Sequence, residues 1–319
     1  MLNDSPLRIF GWSIIALAWS TQNLPASEGF SSLLTSRSRE TFVAIRDYAA
    51  QHTDAADRPA AVRWLLKTAP EWGWESDIIS LAEQELQAND ADAESVALAR
   101  AIIAMGLAQQ GDSAGAASVT DDFLRSLRLR NPSAGIDLCQ SVSLRLQLGN
   151  DPAGAAAVYD RLAAAFFLNQ DVREAAQSRK ARLDLLGKPA PAIAVGDLDG
   201  GKWVWDDHRD HVVLLDFWAT TCRPCLDELP RLKQFARELQ PRGLEVLGIS
   251  LDEDAETVKG FREAQRIPWK LALDAGKVAP DYRVRLIPCL MLIDRAGKIA
   301  AVDVPPGDLR WSALRLLNR

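Results

Sequence analysis

Two cysteines, Cys222 and Cys225, lie two residues apart in the segment WATTCRPCLDELP, residues 218–230. Thiols at this spacing can form a redox couple, supply half of a metal site or make a structural bridge. A structural zinc site needs four ligands. The chain has a single such pair, and none of its three histidines follows it. The sequence therefore predicts no metal and no cofactor, and it favours redox exchange over a structural bridge.

The pair lies at a predicted junction between a strand and a helix. HVVLLDFW, residues 211–218, is a nearly continuous apolar run, which is typical of a strand buried on both faces. The spacing of the leucines that follow predicts a helix over residues 224–239. The free amides and the dipole of a helix N-terminus stabilise a thiolate, and Arg223 adds a positive charge. We therefore expect Cys222 to be the nucleophile and Cys225, one turn into the helix, to resolve the mixed disulfide.

Residues 187–319 have the pattern of an α/β domain in which helices flank a central mixed sheet. Proline and glycine are dense just before the first strand, which marks the start of the domain. A second apolar run at residues 243–252 completes a strand, helix, strand crossover of the parallel kind. Residues 288–294 and 298–304 then predict a hairpin, and a last amphipathic helix covers residues 306–317.

Residues 27–186 predict an all-α domain, because alanine is abundant and the alternation typical of strands is absent. One internal repeat is visible: DSAGAASVTD at residues 112–121 recurs as DPAGAAAVYD at residues 151–160, with seven of ten positions identical. Each copy begins with an Asp that is expected to cap a helix. Stacked helical hairpins give such a period. The arrangement resembles tetratricopeptide repeats, although its offset of 39 residues exceeds their length of about 34.

The first 26 residues are interpreted as either a secretory signal or an N-terminal helix. Residues 7–19, LRIFGWSIIALAW, are mostly apolar, and ALA at residues 16–18 is a candidate cleavage site. A signal would place the protein outside the cytoplasm, in the periplasm or beyond, whereas a helix would leave it cytoplasmic. The net charge of −6 and the pI of about 5.3 argue against a nucleic-acid partner, because phosphate binding needs a basic face.

The C-terminal segment resembles the thioredoxin-fold thiol–disulfide oxidoreductases of the TlpA/ResA type. The matching motifs, in chain order, are GKPAP (187–191), DLDGGKW (197–203), VVLLDFWAT (212–220), CRPCLDELP (222–230), LGISLDED (247–254) and LIPCLMLIDRAGKI (286–299). The helical N-terminal part lies outside the resemblance. The resemblance implies a thioredoxin-like domain that exchanges disulfides with protein substrates and with an unknown electron donor or acceptor. The helical domain is then available to bind a further protein partner.

The resemblance also implies roles for residues around the pair. Pro288 would be a cis-proline that lies against the two sulfurs, and Ile287 would offer its backbone to an extended substrate. The same docking surface is expected to include Trp218, Thr221, Arg223 and Pro224.

Two acids match positions that carry carboxylates in this group of proteins. Asp216 lies six residues before Cys222, inside the apolar run, and Glu228 follows Cys225 by three residues. A buried carboxyl has a raised pKa and can move protons to and from a thiol. We therefore expect both acids to take part in the resolution step.

Two positions depart from the family pattern. Thr221 stands where the family usually has Trp, which predicts a more open docking surface. Cys289 stands where Thr or Ser usually follows the cis-proline. Because side chains alternate along a strand, Cys289 is expected to face the core if Pro288 faces the pair. Inert packing, an extra redox thiol and a bridge to Cys139 all remain open.

Two other functions are also compatible with the sequence. One is a non-catalytic scaffold that combines a helical repeat with a thioredoxin-fold binding module. The other is a thiol peroxidase of the redoxin group, which needs the pattern Pro-x-x-x-Thr-x-x-Cys. Thr220 and Thr221 are present, but the leading proline and the required spacing are not. The sequence leaves the direction of disulfide exchange, reductive or oxidative, open.

Overall fold

The first part of the chain is built from helices. The computed structural model describes residues 30–88, 91–127, 130–193 and 195–318, with side chains from residue 39 onward. The helices of the first part are α1 (Phe30–Gln51), α2 (Arg58–Trp72), α3 (Ile79–Gln87), α4 (Ala93–Gln110), α5 (Ser113–Ser126), α6 (Pro132–Leu148), α7 (Pro152–Ala165) and α8 (Gln170–Arg182). This helical character is as the sequence predicts. Residues 1–26, which the sequence indicates are either a signal or an N-terminal helix, lie outside the described ranges. Within those ranges no helix is both long and apolar enough to cross a membrane.

The two copies of the alanine-rich repeat form the matching helices α5 and α7. Asp112 accepts a hydrogen bond from the Gly115 amide at 2.9 Å, and Asp151 accepts one from the Gly154 amide at 2.8 Å. Each acid therefore caps its helix, as the sequence predicts. A Cβ on either glycine would lie 2.3 Å from Oδ2 of the capping carboxylate, so a larger residue there would force the capping side chain to shift. Ser113 also donates to Asp151, so the two copies touch each other.

The C-terminal part is a mixed sheet flanked by helices, which confirms the predicted fold class. Its strands are β1 (Val212–Trp218), β2 (Leu244–Ser250), β3 (Lys270–Leu273), β4 (Cys289–Ile293) and β5 (Ile299–Ala301), and its helices are α9 (Arg223–Leu239), α10 (Ala255–Gln265) and α11 (Leu309–Leu317). The sheet order is β3-β2-β1-β4-β5, with β1, β2 and β3 parallel and β4 antiparallel to both of its neighbours. Neither β3 nor α10 is predicted from the sequence. For β3 the reason is that four residues with an exposed first lysine give too little pattern for a strand.

Alternation along the strands divides the core of the C-terminal part into two layers. Leu214, Trp218 and Leu292 face the layer that contains α9 and α11. Phe217 and Met291 face the opposite layer, where they join one continuous apolar cluster with side chains of the helical part. The helical part therefore covers one face of the sheet and shares a core with it.

Buried polar bonds also join the two parts. Arg145 of α6 is 2% exposed. Its guanidinium binds Glu75, and its Nη2 donates to the Asp308 carboxylate at 2.9 Å. Gln147 donates to the Val302 carbonyl at 3.2 Å and accepts from the Val302 amide at 2.9 Å, just beyond β5. Because a buried charge that loses its partner costs about 3–5 kcal/mol, these bonds hold the helical part in one position against the sheet.

Candidate active site

Cys222 and Cys225 lie at the N-terminus of α9, beyond the carboxyl end of β1. Their two sulfur atoms are joined in a disulfide, with the Cα atoms 5.3 Å apart. Cys222 is the N-cap residue, and its Sγ accepts from the Cys225 amide at 3.3 Å. Cys222 is half-buried, whereas Cys225 is 9% exposed. Cys222 is therefore the more accessible member of the pair.

Asp252, just beyond β2, pins the turn that presents Cys222. Its carboxylate accepts from the Thr220 amide at 2.9 Å, from Thr220 Oγ1 at 2.6 Å and from Ser250 Oγ at 2.6 Å. The turn is thus held by the neighbouring strand. Asp252 has no predicted role, although it lies in the motif LGISLDED at residues 247–254. The contact joins residues 32 positions apart and depends on the register of β1 and β2.

Asp216 lies in the middle of β1, on the face that packs against α9. Leu214 and Trp218, two residues to either side, both belong to that layer, so alternation directs the Asp216 side chain the same way. The residue is 7% exposed, and burial raises the pKa of its carboxyl to about 7. A carboxyl with this pKa can gain or lose a proton near neutral pH, which is what an acid–base group needs.

Gly248 makes room for two indole rings beside Asp216. Asp216 of β1 and Gly248 of β2 are register partners. A Cβ on Gly248 would lie 3.1 Å from Trp218 Nε1, 3.3 Å from Trp269 Nε1 and 2.5 Å from Leu271 Cδ2. Both indole nitrogens are buried and have no hydrogen-bond partner in the part of the chain that the structure describes. Asp216 thus lies in a crowded and largely apolar environment, which disfavours its ionised form.

Glu228 lies on α9, three residues after Cys225, and is half-buried. The helical part brings another carboxyl, that of Asp137 on α6, within electrostatic range of it. The Asp137 side chain reaches solvent. Even so, the surrounding protein and the charge of Glu228 raise the pKa of the Asp137 carboxyl to about 6, although Arg179 acts to lower it. Asp137 and Arg179 are not predicted from the sequence as neighbours of the site, because no motif or spacing connects them to the cysteine pair.

The Ile287–Pro288 peptide bond is cis, as the resemblance implies. Cys289 pairs with Phe217 in the sheet, so Pro288 lies at the same edge of the sheet as the turn that carries Cys222. Pro288 is exposed and Ile287 is half-buried. Exposed residues beside the pair include three with a predicted docking role: Thr221, Arg223 and Pro224. Trp218 differs from them, since it is 4% exposed and packs on Phe261 with ring centres 5.4 Å apart.

Cys289 and Cys139 are both free thiols and both buried, so the bridge between them that the sequence left open is not formed. Cys289 faces the layer shared with the helical part, on the opposite side of the sheet from Asp216. Its Sγ lies 3.7 Å from Asp303 Oδ1, and burial raises the pKa of its thiol. In the described ranges no group of three or more His, Cys, Asp or Glu could hold a metal ion.

Comparison with known proteins places the similarity in the C-terminal part. Residues 186–302 match the model of the AhpC/TSA family. The thiol-disulfide oxidoreductase ResA of Bacillus cereus is 34% identical over 115 residues, which is 36% of this chain and 66% of that protein. ResA of Geobacillus thermodenitrificans is 30% identical over 118 residues, which is 37% of this chain and 68% of that protein. The crystal structure of the thioredoxin domain of a thiol-disulfide oxidoreductase from Bacteroides vulgatus is 30% identical, with a TM-score of 0.39, and the match covers 42% of this chain and 98% of that one. The chain thus spans about two thirds of the length of the curated relatives.

Proposed function

Because this chain belongs to the ResA-type thiol–disulfide oxidoreductases of the thioredoxin fold, we propose that it exchanges disulfides with protein substrates through its Cys-Arg-Pro-Cys motif. One observation carries the proposal. The accessible Cys222 caps α9, while Cys225 is buried and bonded to it. A client disulfide can approach the first sulfur, and the second sulfur is shielded from the client. This asymmetry separates a nucleophile from a resolving thiol.

The exchange has two steps. In the reduced protein, the Cys222 thiolate attacks one sulfur of a client disulfide, the client S–S bond breaks, and the released client sulfur takes up a proton. Cys225 then loses its proton and attacks Cys222 Sγ, which releases the second client sulfur as a thiolate that is protonated in turn. Two electrons pass to the client, and the protein is left with the Cys222–Cys225 bond. The reverse sequence oxidises a client dithiol.

In the proposed mechanism, Asp216 accepts the proton that Cys225 loses during resolution. The support is its buried position on the α9 side of β1 and its pKa of about 7. A carboxyl with this pKa is close enough to a thiol in acidity to transfer a proton in both directions. Glu228, on the same helix as Cys225, is proposed to assist from the solvent side.

The proposed docking surface surrounds Cys222. An extended client segment would pair with the backbone of Ile287 beside Pro288, and the small side chain of Thr221 leaves the approach to Cys222 open. Arg223 and Pro224 complete the surface, since both are exposed. Trp218 is buried at the end of β1, so its proposed contribution to client docking is to support, by packing, the turn that carries Cys222.

Reduction of insulin disulfides tests the proposal. The wild type should accelerate the reaction in the presence of a small dithiol, and Cys222→Ser should abolish that acceleration. Cys139→Ala is the matched control, because it removes a buried thiol of α6 but keeps both sulfurs of the pair. Activity that survives in Cys222→Ser, or is lost equally in Cys139→Ala, would count against the proposed roles.

We further propose that residues 27–186 and 187–319 are the two domains and that they act as one exported protein. The shared core and the buried bonds between them support joint action. The apolar segment at residues 7–19 supports export. Fractionation of cells that express the full chain, followed by N-terminal sequencing, would show whether the protein leaves the cytoplasm and where it is cut.

A further inference from the structure

Arg182, the last residue of α8, ties the helical part to two segments of the C-terminal part. It is 1% exposed. Its Nε donates to Asp303 Oδ2 at 2.9 Å, and its Nη2 donates to Asp303 Oδ1 at 2.7 Å. Its Nη1 donates to Ser178 Oγ at 2.8 Å and to the Arg283 carbonyl at 3.1 Å. A single guanidinium thus contacts its own helix, the segment after β5 and the segment before Pro288.

The side chain of Arg283 also contacts the end of α8 and the residues that follow it. Its Nη1 donates to the Ala181 carbonyl at 2.6 Å and to Asp184 Oδ2 at 2.7 Å. The backbone of Arg283 is in the left-handed region, with φ 54°. The end of α8 therefore holds both the side chain and the carbonyl of Arg283.

The Arg182 guanidinium is also connected, through Asp303, to the residue that follows Pro288. Asp303 Oδ1 accepts from Arg182 and also lies 3.7 Å from Cys289 Sγ. Cys289 directly follows Pro288. The Pro288 loop (residues 283–288) is therefore held at its start by Arg182 and Arg283, and at its end by Cys289 through Asp303.

We propose that Arg182 and Arg283 are positioning residues through which the helical part fixes the Pro288 loop for client binding. This inference rests on the proposed function, since the loop matters only if clients dock on it. A loop that is ordered before binding loses less conformational freedom when it binds, which strengthens docking without a new contact to the client. The planar fork of an arginine can bind a carboxylate with two nitrogens and a carbonyl with the third, which a lysine ammonium cannot do in this geometry.

Arg283→Ala is the decisive variant, because it opens the contact at the surface and leaves the buried Arg182–Asp303 pair intact. Exposed ion pairs contribute about 0–1 kcal/mol to stability, so the variant should fold. Lys180→Ala is the matched control. Lys180 lies on α8 and pairs with Asp160 of α7. Their side chains are 44% and 60% exposed, against 42% and 67% for Arg283 and Asp184.

Two measurements test the inference. In insulin reduction, Arg283→Ala should raise KM roughly two- to five-fold while kcat changes less than about two-fold, and Lys180→Ala should match the wild type. Hydrogen exchange of the amides of residues 284–287, 289 and 290 should be about two- to five-fold faster in Arg283→Ala than in the wild type or Lys180→Ala.

The results would distinguish a failure of the proposed positioning role from a failure of the proposed function. An unchanged KM in Arg283→Ala overturns the inference, whether or not exchange becomes faster, and so does an equal rise of KM in Lys180→Ala. If the wild type reduces no insulin, the proposed function fails. The exchange measurement then decides alone whether α8 holds the loop, and unchanged exchange overturns that claim.

Discussion

Replacing Asp216 with asparagine should change how the stability of the protein depends on pH. The free energy of unfolding of Asp216→Asn, minus that of the wild type, should increase by roughly 4 kcal/mol between about pH 4 and about pH 8. The reason is that asparagine occupies the same place in β1 but has no proton to lose.

The magnitude follows from the burial of the carboxyl. Burial raises its pKa from 3.8 to about 7 in the folded protein. Below pH 3.8 both states hold the proton and Asp216 has no effect on the pH dependence. Between 3.8 and about 7 the unfolded chain ionises first, so the wild type loses stability as pH rises, and above about 7 the loss is complete. A tenfold difference in proton affinity is worth ~1.4 kcal/mol, which gives the expected roughly 4 kcal/mol over this interval.

Urea unfolding monitored by tryptophan fluorescence measures the difference directly. Both proteins are unfolded at several pH values across the interval, and only the difference between them is used, since other titrating groups cancel. A difference that grows across the interval and then stays constant is expected. A difference that does not vary with pH would refute the reasoning, because it would mean that Asp216 ionises as easily in the folded protein as in the unfolded chain.

Two further predictions concern the surroundings of the site. Gly248→Ala should lower the free energy of unfolding by about 1–3 kcal/mol, because its Cβ would meet Leu271 Cδ2 at 2.5 Å. Gly260→Ala is the control: it has no neighbour within 4 Å and should raise stability by up to about 1 kcal/mol, so equal effects in urea unfolding would contradict the packing argument. In the reduced native protein, iodoacetamide should label Cys222 but leave the buried Cys289 unlabelled until the protein is unfolded. Mass spectrometry of the labelled peptides measures both reactions. Fast labelling of Cys289 in the native protein would contradict the prediction.

Local patterns were sufficient to predict the strand and helix that carry the cysteine pair. The run that contains Asp216 is continuously apolar around one acid, and the leucines after Cys225 repeat with the period of a helix. Strand alternation also predicted that Cys289 faces the core if Pro288 faces the cysteine pair, and the structure has Cys289 buried and Pro288 exposed. Each of these inferences uses residues close together in the chain.

The contacts made by the helical part could not be predicted in this way. In the sequence, Arg145 and Arg182 look like ordinary charged residues of surface helices. The structure buries them against Asp308 and Asp303, which lie 163 and 121 residues further along the chain. Such pairs depend on how α6 and α8 pack against the sheet, and neither hydrophobic period nor motif spacing records that packing.

Trapping the mixed-disulfide intermediate would show whether Cys222 attacks the client and Cys225 resolves the mixed disulfide. Reduced Cys225→Ser protein is mixed with insulin, thiols are blocked, and the joined peptides are identified by mass spectrometry. We expect a stable mixed disulfide between Cys222 and an insulin cysteine, which forms only transiently in the wild type. The absence of any covalent adduct, or an adduct at Cys139 or Cys289 instead, would contradict this expectation.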